Sequence, residues 1–347
     1  MADLRMTRKG LLSGTAVAAG HLMLASRAAA EAQMPSVAGP VVDAHGHAIT
    51  PAIERLLADR GSRELDGRDL PAWDVAAALD FQARQGIRLQ LLVTPDPGLA
   101  LAPADEHPAV AAAVNDDLAA VVDAAPGRFG ALAVLPLSAG PGAALAELRR
   151  AIDRLGLDGV VLPTRVGDRP LGDAGQGRVL AELSRRRLPA LVHPVAAAAR
   201  PDIPGAPADT VEHAFELVRC AASLLYSDTL LRAPRLRLVL GSGGGGLPFV
   251  AGRIAIADQA LRSDLFVRPL RRLTFDTAQC TDGAALASVR AFVRSPRQIL
   301  YGSDWPLVDE QAPGTWLAEL PQDERGIAGA AALEAFPSLT RRLGTAG

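Results

Sequence analysis

Two of the six histidines in this chain are separated by a single residue, in the segment "DAHGH" at residues 43 to 47. Residues two apart on a strand point to the same side, so His45 and His47 can bind one metal ion together. Two incidental surface imidazoles are the alternative interpretation. The spacing therefore predicts a metal-binding segment at residues 43 to 47.

Two more candidate ligands stand near the ends of apolar runs further along the chain. His193 ends the run "LPALVH", and Asp304 lies in "YGSDWP". Three imidazoles and one carboxylate suit a divalent metal, with zinc the first choice and manganese the second. Either residue alone is more often structural, so the prediction depends on all four standing together at strand ends.

A serine followed by four glycines, "GSGGGG" at residues 241 to 246, has three possible interpretations. It is a phosphate-binding loop, a flexible linker, or a catalytic position whose residue has changed. Lys9 is the only lysine in the chain, so the lysine of a nucleotide-binding phosphate loop is missing. The same observation excludes a Schiff-base lysine in the main body of the chain.

The elements that must position these residues alternate from residue 41 onward. Short apolar runs are followed by longer segments with helical periodicity, such as "GAALAELRRAIDRLG" and "TVEHAFELVRCAASLLY". Continuous apolar runs are typical of parallel strands buried on both faces. The eight predicted strands are "VVDAH", "IRLQLLVTP", "GALAVLPL", "DGVVLP", "LPALVHP", "LRLVLGS", "LTFDT" and "QILYGSD". We therefore predict an α/β single-domain (β/α)8 TIM-type barrel over residues 31 to 347, with its active site at the carboxyl ends of the strands.

Composition limits the classes of partner. The formal net charge of -2 gives no basic surface for nucleic acid or an anionic membrane, so a small-molecule substrate is predicted. Cys220 and Cys280 are too few for a disulfide framework and are predicted to be buried thiols. No apolar run beyond residue 30 approaches the 18 or so residues of a membrane span.

Residues 1 to 30 have the features of an export signal. Basic residues, including Arg8 and Lys9, precede a weakly apolar stretch, and Ala28-Ala29-Ala30 is a small-residue cleavage pattern. The segment "TRKGLL" is similar to a twin-arginine signal, with lysine in the second position. We expect export to the periplasm or beyond; a cytoplasmic protein with an N-terminal extension is the alternative.

Taken together, these segments resemble the amidohydrolase superfamily. Within it they resemble the branch that contains aminocarboxymuconate semialdehyde decarboxylase and aromatic acid decarboxylases. The similarity is carried, in this order, by "DAHGH", "RFGALAVLPL", "LVHP", "SGGGGLPFVAGRI" and "YGSDWP". It implies one catalytic metal held by His45, His47, His193 and Asp304. Other members bridge two metals with a carboxylated lysine, which this chain lacks, so a mononuclear site is predicted.

The resemblance favours one of the three interpretations of the glycine run: a catalytic position whose residue has changed. At the position of Ser242 the family has a histidine that acts as a catalytic base. A serine hydroxyl is not appreciably ionised near pH 7 and cannot take that role. Three explanations stay open: His213 or His107 supplies the base, the metal alone is sufficient, or the chain is a weak or inactive relative.

Arg253 in "VAGRI" matches an arginine that the aminocarboxymuconate enzyme sends into the neighbouring subunit's site to hold a substrate carboxylate. A planar guanidinium suits that role, which implies a homodimer; an ordinary helix-surface arginine is the alternative.

The resemblance implies a metal-dependent, non-oxidative decarboxylase of a small cyclic or aromatic carboxylic acid, with Asp304 both ligand and proton carrier. A hydrolase or hydratase of a lactone, amide or double bond, and a metal-binding pseudoenzyme, are the alternatives.

Overall fold

The computed structural model describes residues 39–196, 203, 206–257, 268–280, 283–308 and 322–344. The predicted export segment, residues 1 to 30, lies outside the described residues. None of the described helices combines the length and the apolarity that a membrane crossing requires.

Eight parallel strands form one sheet in chain order, which confirms the predicted TIM-type barrel. The first and last strands approach each other, because the Ala44 N–H donates to the Tyr301 carbonyl at 2.8 Å and the sheet is nearly closed. The strands are β1 Val42–His47, β2 Leu89–Val93, β3 Phe129–Val134, β4 Gly159–Pro163, β5 Pro189–His193, β6 Arg237–Leu240, β7 Thr274–Asp276 and β8 Ile299–Leu300.

Helices connect the strands and begin and end at residues that favour helix boundaries. The Asp74 side chain accepts a hydrogen bond from the Ala77 N–H, and Gly61 and Gly86 end two helices in the left-handed conformation. The helices are α1 Pro51–Arg60, α2 Val75–Gln85, α3 His107–Ala124, α4 Pro141–Arg149, α5 Gly177–Arg186, α6 Ala208–Tyr226, α7 Thr229–Arg232, α8 Leu247–Ala257, α9 Gly283–Phe292, α10 Gln322–Ala335 and α11 Ser338–Gly344.

The two helices singled out in the sequence differ slightly from their predicted form. The segment "GAALAELRRAIDRLG" is α-helical only to Arg149 and continues as a π-helical turn, Arg150–Arg154. The second segment begins two residues earlier than the periodicity suggests, at Ala208. Cys220 and Cys280 are buried thiols, as predicted.

A short hairpin after α1 reaches the carboxyl-terminal side of β5. Its strands, Glu64–Leu65 and Arg68–Asp69, are antiparallel, and its turn contacts the start of α6. Gly67 is needed in that turn, because its φ is +84° and a Cβ there would lie 3.0 Å from the Ala208 nitrogen. The close contact places the neighbouring residue, Asp66, beside α6.

Candidate metal centre

The four predicted ligands converge at the carboxyl ends of β1, β5 and β8. His45, His47, His193 and Asp304 are all buried, and one candidate ligand atom of each lies within 4.8 Å of the others. The three imidazole centroids are 5.0 to 5.2 Å apart. Asp304 Oδ1 lies 2.9 Å from His47 Nε2 and 3.6 Å from His45 Nε2. The structure therefore brings together the four residues that the sequence singles out.

Hydrogen bonds orient the imidazoles toward the centre of the cluster. His45 Nδ1 lies 2.8 Å from Asp276 Oδ2, and His193 Nδ1 lies 2.7 Å from the Pro194 carbonyl oxygen. When these two rings are neutral and Nδ1 is the donor in each, each Nε2 carries a lone pair. Such outer hydrogen bonds fix the tautomer of metal-binding histidines.

Two ring nitrogens in the cluster indicate that a ligand belongs there. His45 Nε2 and His47 Nδ1 are buried, and neither has a hydrogen-bond partner among the residues that the structure describes. Buried polar atoms are nearly always paired, so the unpaired His45 Nε2, which lies 3.6 Å from Asp304 Oδ1, calls for an explanation. A divalent cation, which accepts nitrogen and oxygen lone pairs, fits this donor set.

Asp304 is held on both of its oxygens. Oδ1 faces the imidazoles, and Oδ2 accepts a hydrogen bond from Gln279 Nε2 at 2.8 Å. Burial alone would raise the pKa of Asp304, but the His47 hydrogen bond and the imidazole charges outweigh it and hold this pKa well below its usual range. The carboxyl group is therefore an anion, as a metal ligand must be.

The three imidazoles differ in electrostatic environment. Burial disfavours a charge on His45, but the Asp276 carboxylate outweighs it and raises the pKa of His45 to about 9. Burial lowers the pKa of His47, and burial together with the neighbouring imidazoles lowers that of His193 well below its ordinary value. In the metal-free chain, the cluster thus holds its proton on His45.

The fully buried carboxylate of Asp43, near the start of β1, joins this strand to β2 and to the segment after β8. It accepts hydrogen bonds from the Ser303 N–H at 3.0 Å, the Ser303 hydroxyl at 2.6 Å and Gln90 Nε2 at 2.8 Å. A Cβ at Gly46 would lie 2.3 Å from Gln90 Nε2, so a side chain there would displace the Gln90 amide that donates to Asp43. These contacts fix the strand that carries two of the four ligands.

Ser242 lies beside the cluster and contributes to it through its backbone. Its N–H donates to Asp276 Oδ1 at 2.8 Å, with the residue at a φ of +50°. The serine also lines a cavity of about 280 Å³, together with His213 and Gln279. The bond uses the backbone N–H, so it does not depend on the serine hydroxyl.

The two histidines that were candidates for the missing base differ in position. His107 contacts the Ser138 hydroxyl through Nδ1 and lies 3.2 Å from the Ala102 carbonyl through Nε2, so both ring nitrogens are engaged in local structure. His213 projects from α6, and its ring centroid is 6.4 Å from that of His193. The structure places only His213 next to the ligand cluster.

His213 is paired with a carboxylate that the sequence did not single out. His213 Nε2 lies 2.9 Å from Asp66 Oδ2, in the hairpin turn described above. Burial raises the pKa of Asp66, but the hydrogen bond and charge of His213 outweigh it, so this pKa is lowered overall.

Arg253 lies on α8 and is exposed. It borders an open groove of about 380 Å³ that includes Tyr226, Val250 and Ile254. Tyr226, at the end of α6, is 51% exposed, and Phe249, on α8 with Arg253, is 87% exposed. Large apolar side chains are therefore accessible around the predicted intersubunit arginine.

Sequence reasoning missed three polar residues that act on the site: Asp276, Gln279 and Asp66. Asp276 lies near the carboxyl end of the predicted strand "LTFDT". Polar residues at the carboxyl ends of barrel strands are candidate site residues, and this rule, which pointed to His193 and Asp304, applies equally to Asp276. Gln279 follows three residues later in the same loop. Asp66 carries no comparable signal, because it lies in a hairpin turn.

This chain has the fold and the donor set of a metal-dependent TIM-barrel enzyme, and comparison with known proteins identifies its family. The amidohydrolase family model matches residues 42–336, so the chain belongs to the amidohydrolase family. A 6-methylsalicylic acid decarboxylase from Penicillium expansum is 30% identical over 314 residues, which cover 86% of this chain and 96% of the relative. The predicted family is therefore confirmed.

Solved structures agree with the fold. The 5-carboxyvanillate decarboxylase of Sphingomonas paucimobilis superposes with a TM-score of 0.73 at 23% identity, covering 86% of this chain and 99% of that structure. A dihydroxybenzoic acid decarboxylase from Polaromonas sp. JS666, with bound manganese and the inhibitor 2-nitroresorcinol, gives a TM-score of 0.70 at 21% identity over 86% and 97% of the two chains. At these identities the likeness establishes the TIM barrel.

Proposed function

We propose that this amidohydrolase family member is a metal-dependent, non-oxidative decarboxylase of a small aromatic carboxylic acid. The observation that carries the proposal is the buried cluster of three imidazoles and one carboxylate, in which His45 Nε2 has no hydrogen-bond partner among the described residues. The decarboxylase relative, which aligns over nearly its whole length, supports this reaction over hydrolysis.

Two groups of residues have different roles at the site: one would bind the metal, and the other orients the metal-binding side chains. A divalent ion held by His45, His47, His193 and Asp304 supplies Lewis acidity, which would polarise the carboxylate and an adjacent oxygen of the substrate. Asp276 and the Pro194 carbonyl hold two of the imidazoles, and Gln279 holds Asp304. This outer layer keeps the ligands in one geometry, which a functional metal site requires.

For the metal we propose zinc, with manganese second. Three nitrogen donors and one carboxylate match the ligands of catalytic zinc sites, while the Polaromonas structure contains manganese. Elemental analysis of protein purified without added metal should find one divalent ion per chain. The His45→Ala/His47→Ala double variant should contain none, and two ions per chain would contradict the mononuclear site.

Carbon dioxide release tests the reaction. Metal-free protein would be incubated with 6-methylsalicylate, a panel of hydroxybenzoates and muconate-type acids, before and after zinc or manganese is added. We expect metal-dependent release from at least one acid, and none from the His45→Ala/His47→Ala variant. Consumption of an acid by addition of water would instead support a hydratase. Tight metal binding with no turnover of any acid would support a pseudoenzyme.

We also propose a homodimer formed through the face that carries Arg253. The groove beside it and the exposed Tyr226 and Phe249 provide apolar area of the kind that protein interfaces bury. Sedimentation analysis should give a dimer for the wild type. Phe249→Glu places a charge in that area and should shift the equilibrium toward monomer. Arg253→Ala should raise KM in the dimer if this guanidinium serves the neighbouring site.

Export remains a proposal that rests on residues 1 to 30. The segment combines a basic start, an apolar middle and a small-residue end. Replacing Arg8 and Lys9 with Gln should leave the precursor uncleaved inside the cell. An uncleaved wild-type chain that begins at Met1 in the cytoplasm would contradict it.

A further inference from the structure

The proposed decarboxylation needs a proton at the ring carbon, and Ser242 cannot supply it. Asp304, the proton carrier that the family resemblance implies, has both of its oxygens engaged, by His47 Nε2 and by Gln279 Nε2. Of the six histidines in the chain, His21 lies outside the described residues and three belong to the metal cluster. Both ring nitrogens of His107 are engaged. His213 is therefore the one described histidine that lies outside the cluster and has a ring nitrogen available for a substrate.

Asp66 fixes the imidazole of His213. Its Oδ2 lies 2.9 Å from Nε2 and also accepts the Ala196 N–H at 3.1 Å. The hairpin turn is itself held against α6, where the Asp209 N–H donates to the Asp66 carbonyl at 3.3 Å. With Nε2 bonded to a carboxylate, proton exchange with any other molecule takes place at Nδ1.

The ring centroid of His213 lies 6.4 Å from that of His193, and the cavity that His213 lines lies beside the metal cluster. His213, Ser242 and Gln279 line the same space of about 280 Å³, and Gln279 donates to the ligand Asp304. Pro248 and Val289 add apolar wall to it. The side chain of Ser242 is small and fills little of this cavity. His213 lines the same cavity from α6.

We propose that Asp66 and His213 form a carboxylate–imidazole pair that protonates the substrate, with His213 the catalytic acid and Asp66 its positioning residue. This inference rests on the decarboxylase function proposed above. The proton passes from His213 Nδ1 to the ring carbon that bears the carboxylate. The bond between that carbon and the carboxylate then breaks, its electron pair returns to the ring, and carbon dioxide leaves. Solvent returns a proton to His213.

Steady-state kinetics of the metal-loaded protein test the catalytic role. His213→Gln keeps an amide N–H that can bond to Asp66 but transfers no proton, so kcat should fall by about 10²-fold or more, with KM changed by less than about threefold. His213→Ala should be equally slow. Added imidazole should raise the kcat of this variant by at least about tenfold, because it can enter the enlarged cavity. His107→Gln, the matched histidine control, should keep wild-type kcat and metal content.

Asp66 is tested by spectroscopy without substrate. In protein labelled with ¹⁵N at histidine, neutral His213 should carry its proton on Nε2 in the wild type. It should become a mixture of tautomers in Asp66→Ala, with kcat lowered and KM little changed. Asp69→Ala, on the exposed part of the same hairpin, should alter neither the spectrum nor kcat.

The outcomes separate this inference from the function on which it rests. An active wild type with a fully active His213→Gln variant overturns the proton-donor role alone. Failure of imidazole to rescue His213→Ala, or a loss confined to KM, also overturns it. A metal-loaded wild type that releases no carbon dioxide from any acid overturns the proposed function and this inference together.

Discussion

Replacing Asp276 with Asn should weaken metal binding although Asp276 is not itself a ligand. The carboxylate is fully buried and accepts three hydrogen bonds, from the Ser242 and Ala278 N–H groups at Oδ1 and from His45 at Oδ2. An asparagine can keep its carbonyl toward the two backbone donors. Its NH2 group then faces His45 Nδ1, which must become an acceptor, so the ring proton moves to Nε2.

The size of the effect follows from that change of tautomer. A proton on His45 Nε2 occupies the lone pair that faces the other ligands. Moving that proton back to Nδ1, as metal binding requires, makes the Nδ1–H of His45 point at the NH2 group of the new asparagine. Loss of such an outer partner typically lowers metal affinity 10- to 100-fold, or about 1.4 to 2.7 kcal/mol. Because Asp276 also raises the pKa of His45 to about 9, the comparison is cleanest near pH 9, where proton competition is small.

The assay is a zinc titration against a chromophoric chelator of known affinity. Asp96→Asn is the matched control, because Asp96 is also buried at the end of a barrel strand and accepts two backbone N–H bonds, from Ala100 and Leu101. Thermal melting shows whether each variant is folded. A folded Asp276→Asn protein whose zinc affinity at pH 9 stays within about twofold of wild type would refute the reasoning.

Three further changes have defined outcomes. Wild-type zinc affinity should rise about tenfold per pH unit from 7 to 9, because the raised pKa of His45 makes metal displace a proton below pH 9; a flat titration would contradict this. Gly302→Ala should reduce zinc affinity and stability, since its Cβ would lie 2.8 Å from His45 Cβ, whereas Gly142→Ala, with open space around it, should do neither. Asp158→Ala should lower the free energy of unfolding in urea by about 3 kcal/mol, because it leaves the Arg342 guanidinium without the carboxylate 2.8 Å away; a loss under about 1 kcal/mol would argue against a structural ion pair.

The barrel and its ligands were predictable because both follow from short-range rules. A strand buried on both faces must be a nearly continuous apolar run, and each of the eight runs corresponds to an observed strand. In a parallel barrel all carboxyl ends open to one side, so polar residues at those ends meet whatever their separation in the chain. That is why His45 and Asp304, 259 positions apart in the numbering, were placed together.

The supporting residues were less predictable because loops position them. Asp66 and His213 are 147 residues apart, and their hydrogen bond depends on how a hairpin turn packs against the start of α6. No periodicity in the sequence encodes that contact. Gln279 belongs to the loop after β7, and its bond to Asp304 depends in the same way on loop conformation.

The glycine run after Ser242 is neither a phosphate loop nor a linker, because sterics require its glycines. Gly243 and Gly245 have φ values of +61° and +58°, and Cβ atoms there would lie 2.7 Å from Cys280 Sγ and 2.2 Å from the Ala214 carbonyl oxygen. The turn thereby presents the Ser242 N–H to Asp276, which orients His45. Because this bond uses the backbone N–H, it does not require the histidine side chain that the family resemblance implies at position 242. We therefore expect the metal site to tolerate serine at this position, with the proton transfer assigned to His213 on α6 under the proposal above.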